Sequence, residues 1–532
     1  MSPSVSTPLS QLSSNVPIPS GMENTSLILA VRVHTDDNVA VALSPLAAGT
    51  VVTVGDGNSA ASVTLTEAVP AGHKIALHAL SVDDSAFKYG VPIGRITASV
   101  SAGGWVHSHN LATRLTDAAG YERHGVRPAF SPNVPSPLPT FDGYRRADGR
   151  VGTRNEIWVI NTVGCVNTAA ERIARAAAER FADRIDGIHV DGIHAFAHPY
   201  GCSQLGDDLG TTRAVLGGLL RHPNVGGALV LGLGCENNQL PAFLQSQAPK
   251  DLSRIRAFNT QDVIDEVEAG IAAVGELIDC MARDRREARP VSDLVLGHKC
   301  GGSDGFSGLS ANPLLGRLAE RITAMGGTVI LTEVPEMFGA EQVLLDRVTS
   351  DEVYVAAAKM IDDFKAYFVR HGQPVYENPS PGNKEGGLTT LEEKSLGAIQ
   401  KGGRAPVTGV LRYGEAAHKG GLQLLEAPGN DGVSSTAMVA SGATMLLFTT
   451  GRGTPLGFPV PTLKVSSNSG LAARKPHWID FDAGRVLTGV ATIEQLTDEL
   501  LALVLETASG KRARNETHGY REIAIWKHGV TL

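Results

Sequence analysis

Residues 294–313, LVLGHKCGGSDGFSGLSANP, end a short apolar run in His298, Lys299 and Cys300, then add glycines with Ser303, Asp304 and Ser307. Imidazole, ammonium, thiol and carboxyl groups on glycine-rich backbone can move protons, hold an anion or bind a metal. The pattern recurs. Cys165 closes EIWVINTVGC, Cys202 closes GIHAFAHPYGC and Cys235 closes GALVLGLGC, so four of the five cysteines end an expected strand. Each reads either as a small buried hydrophobe or as a reactive group in the crevice where open α/β sheets bind ligands. Cys280 falls inside a helical stretch and reads as structural.

His198 precedes Cys202 in HPYGC, and His298 precedes Cys300 in HKC. Either is a satisfied structural histidine, a general base or a metal ligand. His107 and His109 in VHSHN alternate along an expected strand and would share one face, as a metal site or as a solvated edge. The loops CGGSDGFSG (300–308), NPSPGNKEGG (378–387) and TTGRGTPLG (449–457) place Lys384 and Arg452 beside backbone amides. Such loops suit a carboxylate; the alternative is a set of tight turns with solvated cations. None is a nucleotide loop, because GxxxxGK[ST] is absent and GRGTPLG lacks the GxGxxG spacing.

The elements needed to position these residues follow from periodicity. Short alternating runs from residue 26 to about 110, separated by turn residues, predict a small all-β domain over 24–112, after a disordered tail over 1–23. RPAFSPNVPSPLPT predicts an extended proline-rich linker within 113–140. From Tyr144 onward strand-like and helix-like runs alternate, which predicts α/β domains with mainly parallel sheets. The polar stretch ARDRREARP divides a central domain, 141–283, from a C-terminal one, 291–532.

Composition narrows the function. A 532-residue chain with 42% apolar and 19% charged residues, 60 glycines and 5% aromatics suits a multidomain enzyme with glycine-lined loops. A net charge of -8 gives no footprint for nucleic acid. No apolar run reaches the ~18 residues of a membrane span, and there is no leader-like start, so a cytoplasmic location is expected. Odd cysteine number without a secretion signal argues against a disulfide framework.

The motifs RRADGRVGTRNE, HPYGCSQLGDD, GLGCENNQ, CGGSDGFSGLSANP, EVPEMFGAEQ, ENPSPGNKEGGLTTLEEKSLG, TTGRGTP and HWIDFDAG, in that order, resemble the altronate/galactarate dehydratases. The forms VHSHN, CENNQ and REIAIWKHGVTL resemble the altronate branch. The resemblance implies an N-terminal domain of the SAF (β-clip) type and a hydro-lyase converting D-altronate to 2-dehydro-3-deoxy-D-gluconate in hexuronate breakdown. It also implies Fe²⁺ or Mn²⁺; an iron–sulfur cluster on three strand-end cysteines is the alternative. His34 and His73, in HTDDNVAVAL and GHKIAL, are the expected metal ligands, with Cys202 and Cys300 as partners.

Removing the C2 proton of a sugar acid creates an ene-diolate that cations must neutralise, and a neutral imidazole suits the base. His198 is the expected base, with Lys384 and Asp304 as further catalytic groups. Arg452, Lys384, Ser303, Asn383 and Thr454 are the expected substrate-binding residues. A small-molecule sugar acid and a second copy of the chain are the expected partners. Galactarate dehydration, and lyases expelling another β-substituent such as sulfite from sulfolactate, share this chemistry. A non-catalytic sugar-acid sensor would need the carboxylate loops but neither base nor metal.

Overall fold

The computed structural model describes residues 28–55, 60–115, 121–122, 134–247 and 251–531. The expected tail and much of the proline-rich linker lie outside these residues. The N-terminal region is all-β, with short antiparallel strands in sheets of two to four. Strand Val51–Val54 shows the alternating exposure of a sheet with one wet face.

Two parallel sheets follow. The central one has the order Gly192–Ala195, Glu156–Asn161, Val225–Gly232, Ile255–Asn259. Glu156–Asn161 is buried throughout, as expected of a parallel strand covered on both faces. The C-terminal sheet has seven strands in the order Val407–Leu411, Gly421–Leu425, Thr328–Leu331, Val295–Cys300, Met445–Thr450, Thr462–Ser466, Phe481–Asp482. Val295–Cys300 lies in its middle. Helix Asp207–Leu220 packs on helix Asp431–Ala440, so one apolar core joins both sheets.

The polar stretch expected as a boundary is partly ordered. Glu287–Pro290 pairs antiparallel with Thr140–Arg145, stitching together the two ends of the central domain. His107 and His109 occupy a turn after the strand Trp105–Val106 and do not alternate along a strand. The Asn110 carboxamide makes that turn by accepting from the His107 N–H (2.8 Å) and donating to the Trp105 carbonyl (2.9 Å).

The β domain is bolted to the C-terminal domain through Glu393, which is fully buried. Lys74 Nζ and Lys88 Nζ donate to its two oxygens at 2.8 and 2.9 Å, and Lys74 also reaches the Gly387 carbonyl at 2.8 Å. Burial would raise the Glu393 pKa, but the two ammoniums hold it well below the carboxylate range. At the far end of the β domain, Thr113 Oγ1 and the Arg114 N–H donate to Glu392. At the other end of the chain, Thr531 bridges to Gln204, and the N–H groups of His528 and Gly529 donate to Asp208.

Candidate active site

The strand Val295–Cys300 delivers Lys299 and Cys300 to a buried charge cluster. Among the described residues one group of three possible metal ligands lies within 4.8 Å of one another: Cys300, Glu333 and Glu336. Glu333 adopts a left-handed conformation (φ 69°), a strained backbone that aims its carboxylate inward. Lys401 Nζ lies 2.8 Å from both Cys300 Sγ and Glu333 Oε2, Lys299 contacts Glu333 and Asp431, and Lys394 Nζ reaches Glu336 Oε1 at 2.9 Å. Burial and the facing carboxylates push the Cys300 thiol up to about 12. Burial would raise Glu336 too, but Lys394 and Lys401 bring it down to about 2.

Their spacing is that of a possible metal site, yet the carboxylates are already paired. The carboxylates of Glu333, Glu336 and Asp431 are already matched by the ammoniums of Lys299, Lys394 and Lys401, and the thiol is neutral. The group is a closed ion-pair network.

Beyond the same strand, the loop 301–308 forms one wall of a cleft of about 470 Å³ lined by Ala71, Asp304, Glu385, Arg452, Asn468 and Arg474 among others. The β domain contributes Ala71, so the cleft lies where the two domains meet. Arg452 Nη2 is 3.0 Å from Glu385 Oε2 at its mouth. Asp304 is buried and held from several sides: Ser307 Oγ, Ser467 Oγ and the Ser307 N–H donate to Oδ1 at 2.8–2.9 Å, and Asn468 Nδ2 donates to Oδ2 at 3.1 Å. Burial raises its carboxyl pKa against these hydrogen bonds. A side chain at Gly451 would put its Cβ 2.1 Å from the Asp304 carboxyl carbon, so glycine is required for this close approach.

Behind Glu385 stands a cluster of rings from the β domain. His73 Nε2 donates to the Glu385 carbonyl at 3.1 Å, and His73 Nδ1 accepts from Trp105 Nε1 at 3.1 Å. His107 stacks on Trp105 and lies 4.7 Å from His73 between ring centroids; His109 meets the Trp105 ring edge-on. Burial holds His107 neutral, with its pKa at about 4, and its Nδ1 has no hydrogen-bond partner.

Several expected site residues sit differently. His198 Nε2 donates to the Asn161 carbonyl (2.9 Å) and Nδ1 accepts from the Tyr200 N–H (3.2 Å), so neither nitrogen is free to take a substrate proton. His198 holds the HPYGC loop to its neighbouring strand. His73 has both nitrogens engaged, and His34 is half exposed, its Nδ1 accepting from the Asp36 N–H at 3.2 Å. Neither these histidines nor Cys202, exposed in the central domain, joins Cys300 in a common donor group among the described residues.

Asn383 is buried and spends its amide on structure, donating to the Ser303 carbonyl (2.8 Å) and accepting from Ser380 Oγ (2.8 Å). It therefore joins two loops and does not present itself to the cleft. Thr454 Oγ1 accepts from the Leu456 N–H within its own turn. Lys384 is half-buried on the short helix Pro381–Glu385, and Arg452 reaches the cleft directly. Glu333, Glu336, Lys394 and Lys401 were not singled out from sequence. Only a buried strand alternating with charged residues, as in HKC, hinted that such partners had to exist.

Three family models match the chain: the altronate/galactarate dehydratase SAF domain over 28–114, the second domain of D-galactarate dehydratase/altronate hydrolase over 143–282, and the D-galactarate/altronate dehydratase C-terminal region over 291–531. The chain is 48% identical to the altronate dehydratase of Escherichia coli (strain K12) over 505 residues, 94% of this chain and 99% of the relative. It is 46% identical to that of Bacillus subtilis (strain 168), with the same coverage. The galactarate dehydratase (L-threo-forming) of Escherichia coli (strain K12) is 33% identical over 92% of this chain and 94% of its own length.

Proposed function

Since the chain belongs to the D-galactarate/altronate dehydratase family, we propose that it is a hydro-lyase that converts D-altronate to 2-dehydro-3-deoxy-D-gluconate and water. The observation that carries this reading is the interdomain cleft, where Arg452 and Arg474 face a space large enough for a six-carbon acid. Guanidinium groups suit the substrate carboxylate and become more valuable as the ene-diolate gathers charge. Glu385 pairs with Arg452 beside this space.

Loss of the C2 proton needs a base that is neutral at physiological pH. His107 is the candidate, because burial lowers its pKa to about 4 and its buried Nδ1 has no hydrogen-bond partner. His73 cannot compete for the role while Trp105 and Glu385 hold both its nitrogens. Asp304 fixes the loop against which the substrate rests. Metal dependence is general in this family, and we extend it to this chain with Fe²⁺ or Mn²⁺ as the ions to test. No step is assigned to an ion at Cys300, where the charges are already balanced.

The test is a panel assay of purified, iron-supplied protein with D-altronate, galactarate and sulfolactate, reading formation of the 2-keto product. Turnover of D-altronate well above the others is expected. Preference for galactarate or sulfolactate would move the substrate, and no turnover of any would remove the hydro-lyase reading.

A further inference from the structure

The strands also leave space at their amino ends, away from the dehydratase cleft. A cavity of about 280 Å³ opens where Val225–Gly232 and Ile255–Asn259 run side by side, at the register that pairs Ala228 with Ile255. Its apolar lining includes Leu220, Val225 and Ile255, and its charged lining is dominated by five arginines, Arg145, Arg146, Arg150, Arg221 and Arg254. A second cavity, of about 270 Å³, shares Arg150 and Arg221. It is also lined by Val295, the first residue of the strand whose other end leads into the cleft loop 301–308. Open α/β sheets ordinarily bind their ligands beyond the carboxyl ends of the strands. These arginines therefore lie outside the site already described.

A turn gathers three of them. The chain doubles back through RRADGR (145–150): the Arg146 N–H donates to the Arg150 carbonyl at 2.8 Å, and the Gly149 N–H donates to the Arg146 carbonyl at 2.9 Å. Gly149 takes the left-handed φ of 89° that such a turn favours. Arg150 Nη2 donates to the Arg221 carbonyl at 2.5 Å, which fixes a fourth arginine beside the turn. Arg254 and Arg146 share Asp284, at 2.6 and 4.0 Å.

The carboxylates do not match this charge. Asp148 pairs with Arg150 at 2.6 Å, while Asp284 and Asp251 both face Arg254, at 2.6 and 3.5 Å. Five guanidiniums thus meet three carboxylates, an excess of two positive charges. Arg146 spends its donors on the Pro223 and Arg154 carbonyls and on Asn155 Oδ1, so its role is structural. Arg221 has an amide for a side-chain partner, Gln247 Oε1, and no carboxylate among the described residues. The Arg145 guanidinium is exposed, with no hydrogen bond or ion pair among the described residues. Burial, and then the charge of Arg150, lowers the Arg221 pKa, as expected of a guanidinium short of an anion.

We propose that this cavity binds the phosphoryl group of a small metabolite, held by Arg145, Arg150 and Arg221 with its organic body against the apolar lining. Three terminal oxygens can meet three guanidiniums at once, which a single carboxylate cannot. A phosphate monoester carries about −1.5 to −2 charge near pH 7, close to the excess on the lining. Occupancy would tie the turn 145–150 to Arg221 at the end of helix Asp207–Leu220, and so stabilise the fold. The site does not depend on the dehydratase reading.

In the experiment the full chain is titrated with glycerol 3-phosphate, inorganic phosphate, succinate and potassium chloride at matched ionic strength, reading Tm and calorimetric Kd. Both phosphates should raise Tm beyond succinate and chloride, with the ester binding more tightly. Arg145→Gln and Arg221→Gln should each weaken the ester about 10–100-fold, the size of a lost charge-assisted hydrogen bond. Because Arg221→Gln could disturb the fold, native protein is also treated with phenylglyoxal and read by peptide mass spectrometry. The ester should protect Arg145 and Arg221 and leave the exposed Arg172 reactive. A Tm rise no larger than that of chloride, succinate binding as tightly as the ester, or undiminished binding in both variants would each overturn the proposal. Inorganic phosphate binding as tightly as the ester would overturn the organic body. Binding lost in Arg452→Ala would place the anion in the dehydratase cleft and overturn the site.

Discussion

Lys401 Nζ and Cys300 Sγ lie 2.8 Å apart at the buried end of the strand Val295–Cys300, an ammonium donating to a thiol that burial keeps protonated. The thiol passes the bond on to Glu336 Oε2 at 3.2 Å. Cys300 is therefore a relay between fixed charges, unlike the three exposed cysteines of the central sheet.

This gives a labelling prediction. At neutral pH, iodoacetamide should modify the exposed Cys165, Cys202 and Cys235 within minutes and leave the buried Cys300 unmodified until urea is added. Peptide mass spectrometry reads the result. Cys300→Ser, which keeps a donor and an acceptor, should retain most stability. Cys300→Val, which leaves Lys401 and Glu336 short of a partner, should cost about 1–3 kcal/mol.

Domain docking gives the second prediction. Lys74→Met removes one of the two ammoniums on Glu393, leaving a fully buried carboxylate undercompensated. Breaking such a pair costs about 3–5 kcal/mol, visible as a lower urea midpoint. For the same reason a chain lacking residues 1–112 should be unstable as well as inactive. A well-folded, monodisperse truncation product would show that Glu393 finds other partners.

Acid stability is the third. Burial lowers the pKa of His298 and His107 to about 4 and of His222 to about 3. The unfolded chain, with histidines near 6.5, binds more protons than the fold between these values. Their stabilising effect is therefore full above about pH 6.5 and is lost as pH falls toward 4. Urea midpoints should fall steadily across that window, and His298→Gln should make the dependence shallower by roughly one proton.

At the cleft, Arg452→Ala should raise KM for the sugar acid about 10–100-fold, the size of a lost charge-assisted hydrogen bond, with a smaller effect on kcat. His107→Ala should lower kcat by about 10²–10⁴-fold and abolish solvent-deuterium exchange at C2. An unchanged exchange rate would exclude His107 as the base.

The sequence periodicity exposed the parallel sheets and placed Cys165, Cys202, Cys235 and Cys300 at strand ends, because a two-residue period and strand length are local properties. The difference among those cysteines was not legible. Cys300 is buried because Glu333 and Lys401, distant in the chain, close over it, and no local pattern encodes that meeting. His198 looked like a base for the same reason: its competitors, the Asn161 carbonyl and the Tyr200 N–H, belong to backbone, and any sequence can supply them. Arg452 lines the cleft, where its glycine loop places it. Asn383, in a similar loop, spends its amide on Ser303 and Ser380, partners that the local sequence does not announce.

The contact of Thr531 with Gln204, together with that of residues 528–529 with Asp208, has a consequence for biosynthesis. Residues 156–259 of the central sheet emerge from the ribosome long before residue 531, yet the loop carrying Cys202 gains these contacts only when that residue arrives. During translation the central domain must wait with this loop unlatched. A bulky fusion placed after the C-terminal residues would prolong that interval.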